Sequence, residues 1–437
     1  MPPRWRRRPA DRRNEPRAAW KRPDRRPAGE PRHASGREHI MSTVIRSLGV
    51  LGLTICTGAA WAAEVPQQIT VSAGKHNRRQ TVVSFAMPAE AAKTSWRLRD
   101  EAGNVLPLQA TPRGQALFVL ENLPAGQSRT YRLEQGQTPQ GITTQREGNV
   151  VRFLIDGRRV LVYQGDKSAL PPGYEPQFQR GGYIQSVYSP AGRLLTDDYP
   201  PNHKHHHAIW SPWTKTVFEG RHPDFWNMGA KTGTVEFVAI DDVWSGPVAA
   251  GLRARHRFVD LTALPEPKAA LNETWDITVF RAAAAYHQFD LDIHQTCASE
   301  SPLVLPRYHY GGLGVRGNRQ WDGKANAVFL TSEGKERSNG NETRARWCYM
   351  GGKVDGNMAG LAVLCHPSNF RAPQPLRIHP TEPFVGCAPE QLGDFAIEPG
   401  KPYIAKYRFI AVDGPADRDE LERLWTDYAD PPTVVLK

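Results

Sequence analysis

From Val65 onward the chain is built of short runs in which apolar residues recur at every second position, separated by Gly, Pro, Asn and Asp. A period of two puts alternate side chains on opposite faces of an extended backbone, so the pattern commits the chain to antiparallel sheet rather than helix. It predicts strands over residues 81–85, 116–121 and 130–133, which form a small β-sandwich domain over 64–134 that ends at the polar linker EQGQTPQG of residues 134–141. Beyond the linker, runs at 150–155 and 159–164 flank Asp156-Gly157, a strong hairpin signal. Longer strands are expected at 232–240, 252–261, 271–281 and 287–295. In the last of these Phe289, Leu291 and Ile293 share one face. Asp290, Asp292 and His294 share the other, which must either meet solvent or line a cleft. Only the C-terminus reads as helix, with Asp417 or Asp419 as cap and Leu421, Leu424, Trp425 and Tyr428 on one stripe. The expected fold class is therefore all-β: a large antiparallel β-sandwich over residues 145–430, preceded by the small β domain and carrying one C-terminal helix.

The N-terminal segment obeys different rules. Its first forty residues hold thirteen Lys or Arg against five Asp or Glu and almost no aliphatic side chains, too little apolar surface to offset chain entropy, and are expected to be disordered. Met41, Arg46, the apolar run of residues 48–60 and the small residues around Ala62 and Ala63 have the layout of a secretory signal over 41–63. Met41 is thus the expected true start, and export the expected localisation. The run falls short of the ~20 apolar residues that a spanning helix needs, so the mature chain is expected to have no membrane span.

The leader carries most of the net charge of +11 and leaves the rest nearly balanced, which argues against a nucleic-acid partner. Cys56 lies in the signal; Cys297, Cys348, Cys365 and Cys387 show no CxxC spacing, and an exported chain permits but does not need disulfides among them.

The densest chemistry is TDDYPPNHKHHHAIW at residues 196–210. In an extended segment His203, His205 and His207 would point one way and His206 the other, so three imidazoles would converge. With Asp197 they would suit a divalent transition metal as cofactor, or acid–base work near neutral pH. A second constellation, PRYHYGGLGVR at 306–316, sets Arg307, Tyr308, His309 and Arg316 beside glycines that permit close backbone approach; an arginine there would clamp a carboxylate and His309 would move a proton. The alternative is a glycine-rich sheet corner. A third is CHPSNFR at 365–371, with His366 at a strand end and Asn369 close by, or simply a turn. Between them GRHPDFWN at 220–227 mixes charge and rings as sugar sites do. No P-loop, GxGxxG, GxSxG or HExxH is found.

Together, TDDYPPNHKHHHAIW, the DFWN of residues 224–227, HYGGLGVR of 309–316 and HPSN of 366–369 resemble the bacterial PmoA family over most of residues 145–430. The family shares its name with a subunit of a membrane methane monooxygenase, whose many spans this mature chain lacks, so that activity is not carried over. The resemblance implies an exported domain from polysaccharide-degrading contexts with a galactose-mutarotase-like supersandwich, in which histidines and a carboxylate work at a sugar in an open cleft. On that basis His207, His309, His366, Arg316 and Asp198 are the expected catalytic residues. Trp210, Asp224, Trp226, Asn227, Tyr308 and Asn369 are expected to bind substrate, and His203, His205 and His207 are the metal candidates. The expected function is a carbohydrate-active enzyme using histidine acid–base chemistry on a sugar or uronic-acid unit, of epimerase or lyase type, with a hydrolase also open. The alternatives are a non-catalytic glycan-binding protein and a metal-dependent oxidoreductase.

Overall fold

Two eight-stranded sheets face each other and enclose the main core. The first runs, in spatial order, Leu376–Ile378, Phe384–Cys387, Leu313–Arg316, Ile209–Trp210, Tyr183–Val187, Arg158–Gln164, Val150–Ile155 and Ile142–Glu147, every neighbour antiparallel. The second runs Gly233–Trp244, Ala249–Asp260, Lys268–Phe280, Tyr286–Cys297, Tyr403–Asp413, Asn357–Cys365, Trp347–Val354 and Ala327–Thr331. This computed structural model describes residues 65–437, so the expectations for residues 1–40 and for a signal at 41–63 lie outside the described residues.

Alternation explains the core. Phe153, Leu161, Ile184, Ile209, Val315, Val385 and Ile378 from the first sheet meet Leu252, Trp275, Ile277, Leu291 and Phe409 from the second, all essentially free of solvent contact. Burial of each such side chain contributes about 1.5–3 kcal/mol. The Asp156-Gly157 turn has both residues at positive φ, 49° and 76°, as a two-residue hairpin of the primed type requires. The all-β antiparallel sandwich expected from the alternation is therefore what forms, with one α-helix among the described residues.

That helix, Arg418–Ala429, is capped by Asp417, whose carboxylate accepts from the Glu420 backbone N–H. It buries Leu421 and Leu424 against Phe280, Tyr286, Trp347 and Ile410 on the outer face of the second sheet. It also covers part of the polar face of Tyr286–Cys297: Asp290 accepts both arms of Arg408, whose guanidinium lies 4.4 Å from the ring centre of Tyr428.

The N-terminal strands form a separate seven-stranded sheet, and its last member comes from the far end of the chain, where Thr433–Leu436 pairs with Gln68–Ser72. Sequence pattern gave no notice of that closing strand. Arg78 and Thr81 of this sheet donate to Asp427 of the helix at 2.9 and 2.8 Å. The four cysteines among the described residues are all free thiols.

Candidate functional site

Because Leu313, Val315, Val385, Leu376 and Ile378 point into the core, their neighbours Gly314, Arg316, Phe384, Gly386 and Arg377 must lie on the outer face of the first sheet. The register sets Arg377 opposite Gly386, Gly386 opposite Gly314 and Gly314 opposite Trp210. The glycines are needed there: a Cβ at Gly314 would come within 2.7 Å of Trp226 and 3.1 Å of Trp210. With no side chain in the way, Trp210, Trp226, Phe384 and Tyr183 pack as an aromatic floor on this face.

The histidine segment crosses that floor as turns rather than as a strand. His203 N–H donates to Pro200 O and His206 N–H to His203 O, which bunches residues that an extended chain would separate. His203 and His206 rings stack at 4.6 Å, His205 stands edge-on to both at 5.9 and 4.8 Å, and His206 also stacks on Phe384 at 5.0 Å. His379, which the sequence pattern did not single out, joins them with its ring 5.4 Å from that of His203. The resulting pocket, of about 210 Å³, is lined by His203, His205, His206, Trp226, Asn227, Tyr310, Arg377, His379 and Phe384.

Its electrostatics favour neutral imidazoles. Burial, then the neighbouring His203 and His207, pulls His205 down to about 3; burial, then His203 and Arg377, pulls His379 down to about 4. Burial likewise lowers His206 and His203. Tyr310, held by Asn227 at 3.0 Å, is pushed up to about 12 by burial and stays a protonated donor. The Nδ1 atoms of His203 and His206 are buried without a protein partner. His379 differs: its Nδ1 accepts from the Glu382 backbone N–H at 2.9 Å, so its proton sits on Nε2.

Several expectations need correction. His207 does not face its neighbours: it is fully buried, its Nδ1 lies 2.7 Å from Asp198 Oδ1, and Asp198 also accepts from the Tyr183 hydroxyl at 2.8 Å. The metal set His203, His205 and His207 therefore does not assemble, and among the described residues no three His, Cys, Asp or Glu side chains meet at ligating spacing. His309 is exposed in an adjoining groove with Arg307, Tyr308 and Glu342, not in the imidazole pocket. His366 packs on Tyr428 and bonds Ser368, so the three histidines expected to work together do not meet.

Arg316 is no substrate clamp, because its guanidinium is wholly buried and its charge is met by Asp322 and Glu382, both on Nη2 at 2.5 and 2.9 Å. Trp210 lies wholly beneath the surface as floor and offers no stacking face. Asp224 spends both oxygens on its own turn, accepting from Trp226 N, Asn227 N, Asn227 Nδ2 and Thr214. Asn369 is tied to both backbone groups of Lys406 at 2.8 Å. Asp197 pairs with Arg319. Of the expected substrate-binding set, Trp226 and Asn227 line the pocket and Tyr308 the adjoining groove.

The chain belongs to a family of unknown function, DUF6807, whose model matches residues 150–426. No curated protein matches it. Among solved structures it is similar to a mutant of the heparan sulfate lyase HepC from Pedobacter heparinus, with 10% identity and a TM-score of 0.30, over 65% of this chain and 38% of that one. It is also similar to the GalM/aldose epimerase homologue from C. elegans, with 10% identity and a TM-score of 0.27, over 64% of this chain and 100% of that one. The chain thus spans well under half the length of the lyase chain. No helix among the described residues is long and apolar enough to cross a membrane.

Proposed function

We propose that this protein is an exported, PmoA-like carbohydrate-active enzyme that uses neutral histidines for acid–base chemistry on a sugar or uronic-acid unit, in the manner of an epimerase or lyase. The observation that carries this reading is the convergence of His203, His205, His206 and His379 with Trp226, Tyr310 and Asn227 around one pocket. Rings beside polar donors and acceptors suit the alternating CH and OH faces of a sugar. Proton abstraction and return need a base, an acid and hydrogen-bond donors at the developing charge. An imidazole lone pair supplies the first, and the protonated Tyr310 hydroxyl the second. Among the described residues no Asp or Glu lines the pocket, which speaks against a glycosidase built on two opposed carboxylates.

The test is an assay of polysaccharides and uronate oligosaccharides by NMR, which detects both unsaturated products and epimers. His205→Ala and His379→Ala are expected to lower turnover by about 10²–10⁴-fold, the usual size of a general acid–base contribution. Glycan binding with no turnover in the unaltered protein would replace this reading with a non-catalytic glycan-binding protein.

A further inference from the structure

Two arginines project from the outer face of the same sheet, and the protein treats them oppositely. Arg316 is neutralised by Asp322 and Glu382 and is sealed in. Arg377 lines the pocket, and among the described residues no carboxylate lies within ion-pair distance of it. Its fixed contact is neutral: Nη1 donates to Asn341 Oδ1 at 3.2 Å, and the same oxygen accepts the Ile378 backbone N–H at 3.0 Å. Asn341 therefore orients the guanidinium without cancelling its charge. The strand register holds it from the other side, opposite Gly386, where the lack of a side chain leaves the floor beside it clear.

A partly buried cation without a counter-charge is costly to keep, and burial lowers the pKa of Arg377 as expected for a desolvated cation; Glu342, in the adjoining groove, offsets this only in part. A planar fork with free donors matches a carboxylate or sulfate in two parallel hydrogen bonds. His379 lines the same pocket with Nδ1 already engaged, so its Nε2–H is the donor left for a ligand. Lys215, 5.0 Å from the ring centre of Tyr308, adds positive charge at the neighbouring groove.

We infer that Arg377 is the anion-recognising residue of the pocket, and that the sugar it admits carries a negatively charged substituent, a carboxylate or a sulfate. This inference rests on the carbohydrate reading above and narrows its substrate class. It also has a consequence for the imidazoles: Arg377 depresses His379 and His309, so an anion seated on it removes a charge that opposes their protonation.

The test is an NMR titration of the protein with glucuronate, galacturonate and galactose 6-sulfate against glucose and galactose, repeated on Arg377→Gln and Arg377→Lys. The acidic sugars are expected to bind at least about tenfold tighter than the neutral ones, in line with a charge-assisted bidentate pair. Preference for the uronates or for the sulfate assigns the anion. Arg377→Gln is expected to erase the preference, with a larger loss of affinity for the acidic sugars than for the neutral ones, and Arg377→Lys to keep part of it, which also covers the case of a glutamine variant that does not fold. Equal affinity for acidic and neutral sugars, or a preference that survives Arg377→Gln, overturns this inference and leaves the carbohydrate reading standing. Binding of none of the five sugars overturns both.

Discussion

Two histidine–carboxylate pairs in this molecule have the same contact geometry and opposite surroundings. His256 meets Glu273 inside the sandwich at 2.7 Å, and His207 meets Asp198 behind the pocket at 2.7 Å. The interior pair belongs to a closed chain. Tyr163 bonds His256 Nε2 at 2.7 Å, Gln295 donates to the second Glu273 oxygen at 2.7 Å, and Trp213 donates to Gln295 at 2.7 Å. The pocket pair is open, because His207 Nε2 is buried with no protein partner. A buried network in which every atom is satisfied specifies packing, whereas a buried imidazole nitrogen without a protein partner leaves one hydrogen-bonding position unused. The pair alone does not mark a site; what its outer nitrogen meets does.

Deleting each carboxylate gives the largest expected difference. Glu273→Ala strands His256 and Gln295 in the core, where the Glu273 side chain is 2% exposed, and is expected to cost about 3–5 kcal/mol in urea unfolding. Asp198 is 16% exposed, so water can replace it, and Asp198→Ala is expected to cost only about 1–3 kcal/mol. Equal losses would erase the distinction between the two pairs.

Acid should strike the pocket next. His203, His205, His206, His207 and His379 are all depressed, first by burial, so each is neutral when folded while its unfolded counterpart titrates near ~6.5. The unfolded state then binds more protons below that pH. Stability is full above it and is lost as pH falls toward the folded values, about 4 for His379 and about 3 for His205. Each imidazole contributes at most about 1.4 kcal/mol per pH unit, less for the partly exposed rings. Urea midpoints measured between neutral pH and mild acid should fall, and His205→Gln should make the slope shallower. An unchanged slope would mean that these rings are not held neutral.

How much of this was legible in the sequence follows from what periodicity encodes. Alternation gives the face of a strand, so the sandwich, the Asp156-Gly157 hairpin and the Leu421–Leu424 helix stripe could be read directly. The histidine segment could be read as a place but not as a geometry. Turn bonds at Pro200 and His203 replace the assumed extended backbone and swap His206 for His207 in the pocket. Phe384 reaches the site because its strand pairs with Leu313–Arg316, a non-local pairing that no local pattern carries, and Arg377 and His379 follow on and just beyond Leu376–Ile378, the next strand out. A weak signal exists: His379-Pro380 repeats the His-Pro step noted at His366-Pro367, but the step occurs at His222-Pro223 as well, so it does not by itself single out the pocket histidine.

The smallest expected effect is the sharpest probe of the contrast between core and pocket, since it removes one hydroxyl from the core network and one from the pocket lining. Tyr163→Phe takes the partner from His256 Nε2 inside the core and leaves that atom unsatisfied, at an expected cost of about 1–3 kcal/mol. Tyr310→Phe leaves little behind, because Asn227 Nδ2 keeps Asp224 at 2.8 Å and Thr214 at 3.1 Å. Its stability should fall by no more than about 0.5–1.5 kcal/mol, read as a shift in urea midpoint. If Tyr310 donates the proton in turnover, activity should drop far more than stability in that variant, while Tyr163→Phe should show the reverse ordering. The same atom deleted twice would then separate a hydroxyl kept for the fold from one kept for the ligand. A Tyr310→Phe protein with unchanged turnover would move the acid role to another pocket group, with His379 Nε2–H the next donor in line.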